Sequence, residues 1–149
     1  MNNRVSRLSD LSLVTERLDH VLCSASYDND VRRKVQIALA FCELLASHLD
    51  ERQSEAVAVA KRVLASGEDP RHAEMIEEFA RRTDVDQRMR TPAQRAALNR
   101  LIFSALNKNT GLSSDAGDFL IGLGTDAGLA ANQMASVFAE LVPGFEPEE

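Results

Sequence analysis

The chain contains few residues whose types and spacing could support catalysis or metal binding. Cys23 follows His20 by three residues, which places both on one face of a predicted helix. Zinc needs three or four convergent ligands, and His48 and His72 lie elsewhere in the sequence. Cys42 occurs in an apolar helix, where burial raises the pKa of a thiol and makes it unreactive. We therefore predict that both cysteines are free, buried thiols and that the chain binds no metal or other cofactor.

The glycines form the second candidate site. Five of the seven glycines lie within residues 111–128. The motif Gly122-Leu-Gly124-Thr-Asp-Ala-Gly128 follows an apolar run and precedes a predicted helix, as a dinucleotide-binding turn would. Such a turn needs a parallel sheet around it, no second strand is predicted, and the three aspartates nearby would repel a phosphate. We therefore interpret the segment as a linker between helices in which small residues permit close packing.

A polar cluster, residues 84–90, contains two closely spaced carboxylates, Asp84 and Asp86. Paired carboxylates can act as a general acid and a general base. The sequence supplies no nucleophile or obvious cleft to accompany them. We interpret the cluster as a solvated loop between helices, with a partner-contacting loop as the alternative.

These candidates are positioned by helices. Apolar residues recur at helical spacing along most of the 149 residues, and a lone strand-like run cannot form a sheet. The sequence predicts an all-α single domain over residues 1–149, built as an irregular bundle or stacked helical hairpins, with a frayed acidic tail at 145–149. The six or seven predicted helices span residues 9–26, 31–48, 51–66, 70–82, 92–107, 114–123 and 126–141.

Helix boundaries are predicted from capping residues and turn residues. The helix at 31–48 is apolar on most sides, which predicts a central position in the fold. The boundary signals are a turn at 27–30, a capping box of Asp50 and Gln53, a left-handed Gly67, the N-cap Asp69 before Pro70, a cap at Thr91 with Pro92 and Gln94, and an N-cap at Thr125 or Asp126.

Composition excludes several classes of function. The net charge is −6, from 17 basic and 23 acidic residues, and an evenly acidic protein binds duplex DNA poorly. The longest uncharged run, residues 127–139, is shorter than the roughly 20 apolar residues that span a bilayer. Residues 1–18 contain no apolar block, so the sequence predicts no secretory signal and a cytoplasmic location.

Charge is unevenly distributed along the chain. Residues 109–149 contain no lysine or arginine and seven acids, whereas residues 71–100 contain seven arginines. The two segments either pair with each other or form separate surfaces. A negative surface would steer association with a basic partner. The residues predicted to bind such a partner are Asp84, Asp86, Asp115, Asp118, Asp126 and Glu140.

Residues 32–66 carry a resemblance to a known group. They include Arg-Arg-Lys-Val at 32–35, Ile-Ala-Leu-Ala-Phe-Cys-Glu-Leu-Leu at 37–45 and His-Leu-Asp-Glu-Arg-Gln-Ser-Glu-Ala at 48–56. This stretch resembles a helical hairpin of bacterial proteins encoded near polymorphic toxins, including helical immunity proteins. It covers about a quarter of the chain and lacks the aromatic residue usual near the second helix. The resemblance implies toxin binding and carries over no catalytic residue.

Three functional hypotheses follow. The first is a non-enzymatic cytosolic protein-binding domain, an immunity or antitoxin-type inhibitor that covers a basic bacterial toxin with acidic side chains. The second is a helical regulatory or adaptor domain that uses the arginine-rich segment 71–100 on nucleic acid or an acidic partner. The third is an enzyme or ligand-binding domain built on the glycine-rich segment 111–128. The oligomeric state is left open.

Overall fold

A computed structural model describes residues 27–107 and 116–141 of the chain. These residues form six α-helices and one short 3-10 turn, and within them there is no strand, which confirms the all-α prediction. The helices are α1 (Tyr27–Leu44), α2 (Glu51–Ser66), α3 (His72–Met89), α4 (Ala93–Leu106), α5 (Ala116–Ala127) and α6 (Ala131–Leu141), with the 3-10 turn at Ala46–His48. The predicted helix at 9–26 and the tail at 145–149 lie outside the described residues.

The core lies between α1 and α4. Helix α4 packs against α1, α2, α3 and α5, while α1 also packs against α2, α5 and α6. Phe41 of α1 contacts Phe138 of α6 with ring centroids 5.8 Å apart, and Leu101 and Ile102 of α4 are fully buried. The central position predicted for the helix at 31–48 is therefore shared with α4.

Helix α2 begins and ends as the sequence predicts. The Asp50 carboxylate accepts a hydrogen bond from the backbone nitrogen of Gln53 at 2.7 Å, and Gln53 Oε1 accepts one from the backbone nitrogen of Asp50 at 2.9 Å. This reciprocal pair satisfies two donors that the first turn of a helix leaves free. Gly67 ends the helix with φ of 92°, a conformation that glycine adopts without steric cost.

The predicted turn at 27–30 is wrong, because these residues form the first turn of α1. Aspartate and asparagine are favoured both in turns and near the start of a helix, so the sequence signal was ambiguous. Two further caps differ from the prediction. The Asp69 carboxylate accepts a hydrogen bond from the Arg71 backbone nitrogen at 2.8 Å in a turn, and α3 begins only at His72, so Pro70 precedes the helix. The N-cap residue of α4 is Pro92 rather than Thr91, and it makes no side-chain capping bond.

Helix α3 is longer than predicted. The polar cluster at 84–90, interpreted as a loop, continues the helix to Met89, and Arg90 ends it in the left-handed conformation with φ of 52°. Thr83 is buried, and Asp84 pairs with Arg88 one turn later at 3.0 Å, so both the packing and the surface support helix here. The two predicted aspartates therefore lie on one rigid helix.

The predicted boundary at Thr125 or Asp126 is also wrong, since α5 runs through both residues to Ala127 and turns at Gly128, where φ is 110°. Gly124 lies inside α5, where a Cβ atom would stand 2.6 Å from Met134 Sδ and 3.0 Å from Phe41 Cε2. The interpretation of this segment as a linker between helices is wrong for Gly122 and Gly124, which lie within α5, whereas the expectation that small residues permit close packing is confirmed at Gly124. The capping role predicted for Gln94 is wrong, because its side-chain amide donates to the Ala127 carbonyl at 2.9 Å.

Candidate functional site

The acids predicted to bind a partner are divided between different parts of the surface. Asp86 and Asp126 line one groove of about 360 Å³ between α3, α4 and α5. Glu140 lines another groove of about 630 Å³ between α1, α2 and α6. Asp84 is exposed and engaged by Arg88. Of the four predicted acids whose side chains are described, only Asp86 and Asp126 lie in a common groove.

The surroundings of the other two predicted acids, Asp115 and Asp118, are not described. Asp118 belongs to α5, but its side chain is outside the described part of the structure, and Asp115 lies wholly outside it.

The groove that contains Glu140 has an apolar floor that includes Leu39, Leu64 and Val137. Its rim carries both signs of charge, so this groove is not an acidic surface.

Asp86 has a specific structural role. Its carboxylate accepts a hydrogen bond from Asn99 Nδ2 at 3.0 Å, and Asn99 Oδ1 accepts one from Gln53 Nε2 at 2.9 Å. Gln53 and Asn99 are each 3% exposed. With the capping bond to Asp50, these contacts form an amide chain from the start of α2 through α4 to α3. Buried amides need such partners, and this chain supplies them.

A network of ion pairs joins the outer faces of α2 and α3. Arg52 Nη2 lies 2.7 Å from Glu78 Oε1, and Arg82 Nη2 lies 3.1 Å from Glu78 Oε2, so this carboxylate binds two arginines. The hydrogen bond from Arg52 to Glu78 raises the pKa of Arg52, and hydrogen bonds first from Arg71 and then from Arg52 lower the pKa of Glu55. The ion-pair network comprises Asp50, Arg52, Glu55, Arg71, Glu74, Glu78 and Arg82.

These ion pairs show which acids neutralise several arginines of the segment 71–100. Arg71, Arg82 and Arg88 all pair with acids of residues 50–84. The acids that neutralise these three arginines thus come from the neighbouring helices α2 and α3. Arg82 also lies over the Phe79 ring, 4.7 Å from its centroid, which further fixes its position.

A different set of side chains lies where α3 ends and α4 begins. Arg81, Val85 and Met89 are spaced four residues apart on α3, and Arg95 projects from the first turn of α4. Val85 is 51% exposed and Met89 is 71% exposed, which makes them two of the three exposed large apolar residues in the described chain. We call Arg81, Val85, Met89 and Arg95 the arginine surface.

The arginines of this surface differ from those of the ion-pair network. Among residues 27–107 and 116–141, neither Arg81 nor Arg95 makes an ion pair. Both line a groove of about 520 Å³ together with Val85, and the bottom of this groove includes Asp86 and Asn99. The sequence shows the arginine-rich segment but did not predict this surface, because the polar residues 84–90 indicated a loop. The four-residue spacing of Arg81, Val85 and Met89 was the available signal.

The histidine and cysteine candidates are placed as follows. Cys42 is a free thiol, and burial first, then the charge of Glu43, raises its pKa to about 12, which confirms the predicted core position. His48 is exposed, and His72 Nε2 donates a hydrogen bond to the Leu106 carbonyl at 2.7 Å. His20 and Cys23 lie outside the described residues. Within the described ranges, no three potential ligands converge as a metal site would require.

One lysine, Lys34 of α1, is buried and only 1% exposed. Its Nζ atom makes no hydrogen bond to any residue in the described part of the chain. Burial disfavours the charged amine and lowers the pKa of Lys34 from 10.5 to about 8. The residue therefore imposes a cost on folding that no contact with a described residue offsets.

None of the described helices has the combined length and apolarity needed to cross a bilayer. Comparisons of the chain with protein-family models, with curated proteins and with solved structures found no match.

Proposed function

We propose that the chain is a non-enzymatic, cytoplasmic protein-binding domain that docks an acidic partner protein on the arginine surface. The observation that carries this proposal is that Arg81 and Arg95, which make no ion pair within the described residues, share this surface with the exposed apolar side chains of Val85 and Met89. Exposed apolar groups beside arginine are characteristic of protein interfaces, where arginine and methionine are enriched.

The surface favours a protein over a nucleic acid. Its groove also contains the carboxylates of Asp50, Glu78 and Asp86, so it lacks the clustered positive charge that a run of phosphates requires. A protein partner can place a carboxylate opposite one arginine and an apolar side chain beside Met89. The exposed apolar area would contribute nothing to contacts with a phosphate backbone. This proposal corresponds to the second hypothesis from the sequence, restricted to an acidic protein.

The immunity hypothesis is retained as a second candidate function for two reasons. Residues 116–141 contain no lysine or arginine, and Asp126 and Glu140 are exposed without an ion-pair partner in the described chain. These acids would face a basic bacterial toxin, with Asp115 and Asp118 as the other contributors expected from the sequence. The resemblance of residues 32–66 to immunity proteins also favours this candidate.

A selection from a random peptide display library distinguishes the two functions. Binding at the arginine surface predicts enrichment of acidic peptides that contain a large apolar residue. Their binding should be lost in the Arg81→Gln, Arg95→Gln double variant and retained in Arg62→Gln, which removes an exposed arginine of α2 that pairs with Asp69. Enrichment of basic peptides whose binding is lost in the Asp126→Asn, Glu140→Gln double variant would instead support the toxin inhibitor. Selection of neither class would contradict both proposals.

A further inference from the structure

We infer that the occupant of the arginine surface is an acidic amphipathic helix, whose apolar side packs on Val85 and Met89 and whose carboxylates bind Arg81 and Arg95. This inference rests on the proposed function and specifies the form of the partner. It commits to one occupant, a helical segment of another protein.

The apolar part of the surface has the spacing that a helix recognises. Val85 and Met89 are separated by four residues of α3, which corresponds to a rise of about 6 Å along its axis. An incoming helix presents apolar side chains at the same interval when they are spaced three or four residues apart. The two exposed residues therefore match one apolar stripe of such a helix.

The charged part of the surface specifies acids at the margins of that stripe. The three acids of the groove are already engaged: Asp50 and Glu78 contact Arg82, and Asp86 accepts a hydrogen bond from Asn99. These contacts leave the guanidinium groups of Arg81 and Arg95 to bind the partner. A guanidinium binds a carboxylate through two parallel hydrogen bonds, which fixes position as well as charge.

The other common modes of peptide recognition fit this surface less well. Addition of a strand requires an exposed sheet edge, and the described ranges contain no strand. Recognition of a polyproline segment uses a groove lined by aromatic residues, and the lining of this groove contains none. The arginine surface, which combines the exposed side chains of Val85 and Met89 on one face of α3 with the cations of Arg81 and Arg95, is suited to a helix.

Defined synthetic probes test this inference by calorimetry or fluorescence anisotropy. The main probe is a capped peptide of about 18 residues, or five turns, with leucines on one face and glutamates beside them. The second has the same composition, with the leucines distributed around the helix. The third is a polyglutamate peptide of equal length, and the fourth is an oligothymidylate of similar charge.

The main probe should bind in the micromolar range and more tightly than the scrambled peptide, with an affinity that falls as salt is added. Met89→Gln should weaken binding by about tenfold, and the Arg81→Gln, Arg95→Gln double variant by more than that. Matched controls are Leu44→Gln, which removes an exposed apolar residue of α1, and Arg62→Gln, and both should bind as the wild type does. All substituted residues are largely exposed, and unchanged circular dichroism verifies folding.

The contrary outcomes separate this inference from the proposed function. Equal binding of the amphipathic, scrambled and polyglutamate peptides would overturn the helical partner and leave an acidic partner in place. Binding of the oligothymidylate alone, or of no probe, would overturn both. Sedimentation that showed a dimer dissociated by Met89→Gln would also overturn the inference, because a second copy of this chain would then occupy the surface.

Discussion

Two faces of α3 carry the same residue type in opposite circumstances. On the face toward α2, Arg82 binds Glu78 at 3.1 Å, and Arg52 of α2 binds the same carboxylate at 2.7 Å. On the adjacent face, Arg81 and the nearby Arg95 of α4 have no carboxylate partner within the described chain. Arginine content alone therefore does not identify a binding surface. The informative property is whether the fold itself satisfies each guanidinium.

Lys34 extends this comparison to a third environment. The arginine surface leaves its cations in water, where solvation satisfies them, whereas Lys34 is buried and makes no hydrogen bond to a described residue. An unpaired cation costs little at the surface and much in the interior. Four substitutions test these distinctions, beginning with the largest expected change in stability.

Asn99→Ala should lower the free energy of unfolding by about 2–4 kcal/mol, because it leaves the buried Gln53 amide without an acceptor and Asp86 without a donor. Chemical denaturation monitored by circular dichroism measures this change. Asn132→Ala, at an exposed position of α6, is the control and should change stability by less than about 0.5 kcal/mol. A loss of similar size in both variants would show that the amide chain does not contribute.

Lys34→Met should raise the free energy of unfolding near pH 7 by about 2–3 kcal/mol, because a shift of one pKa unit on folding corresponds to about 1.4 kcal/mol. The pKa of Lys34 is lowered from 10.5 to about 8 on folding, so the unfolded chain binds more protons between these values. The free-energy cost of burying Lys34 should therefore be constant below about pH 8 and should decrease as the pH rises from 8 to 10.5, so that the wild type gains stability over this range.

The measurement for Lys34 is the difference in unfolding free energy between the wild type and Lys34→Met at several pH values. This difference should shrink as the pH rises through the stated window. Subtracting the variant removes the contribution of other titrating groups. A difference that does not depend on pH would contradict an uncompensated buried amine.

Glu78→Gln should lower the free energy of unfolding by about 1–2 kcal/mol, because it removes the charge that Arg52 and Arg82 share in a half-buried position. Glu74→Gln provides the matched control. Glu74 is half exposed and lies 3.6 Å or more from its partners, so its loss should cost less than about 0.5 kcal/mol. Equal effects of the two substitutions would remove the distinction between these carboxylates.

The Arg81→Gln, Arg95→Gln double variant should show the smallest effect, with a free energy of unfolding within about 0.5 kcal/mol of the wild type. No described ion pair is lost, and glutamine keeps the helix propensity of arginine. Thermal unfolding at low and moderate salt measures the change. A larger loss of stability would show that these arginines support the fold, and it would undermine the arginine surface as a binding site.

Local chemistry made much of the fold predictable from the sequence. The capping box at Asp50 and Gln53 and the left-handed Gly67 involve residues close together in the chain, so the bounds of α2 follow from the sequence alone. The end of α3 does not, because the burial of Thr83 and the bond between Asp86 and Asn99 depend on contacts with α4. Polar residues that read as a loop are held in a helix by these tertiary contacts.

The candidate site was predictable only in part for the same reason. The sequence shows an excess of arginine in residues 71–100, but not which of these arginines finds an acid on α2. It assigned six acids to one surface, whereas the structure separates Glu140 from Asp86 and Asp126. Gly124 was recognised as part of a small-residue segment, yet its contact with Met134 depends on how α5 and α6 pack.

The amide chain has a consequence for the uniqueness of the fold. Alanine, valine and leucine surfaces can often pack in more than one alignment, because apolar contact has little directional preference. Gln53 and Asn99 accept only one alignment of α2 with α4, since a slip by one helical turn would strand two amides in the interior. The same slip would carry Asn99 away from Asp86 and disturb the groove between α3 and α4. These few polar atoms thus select a single helix register, and the relative positions of Arg81 and Arg95 depend on that selection.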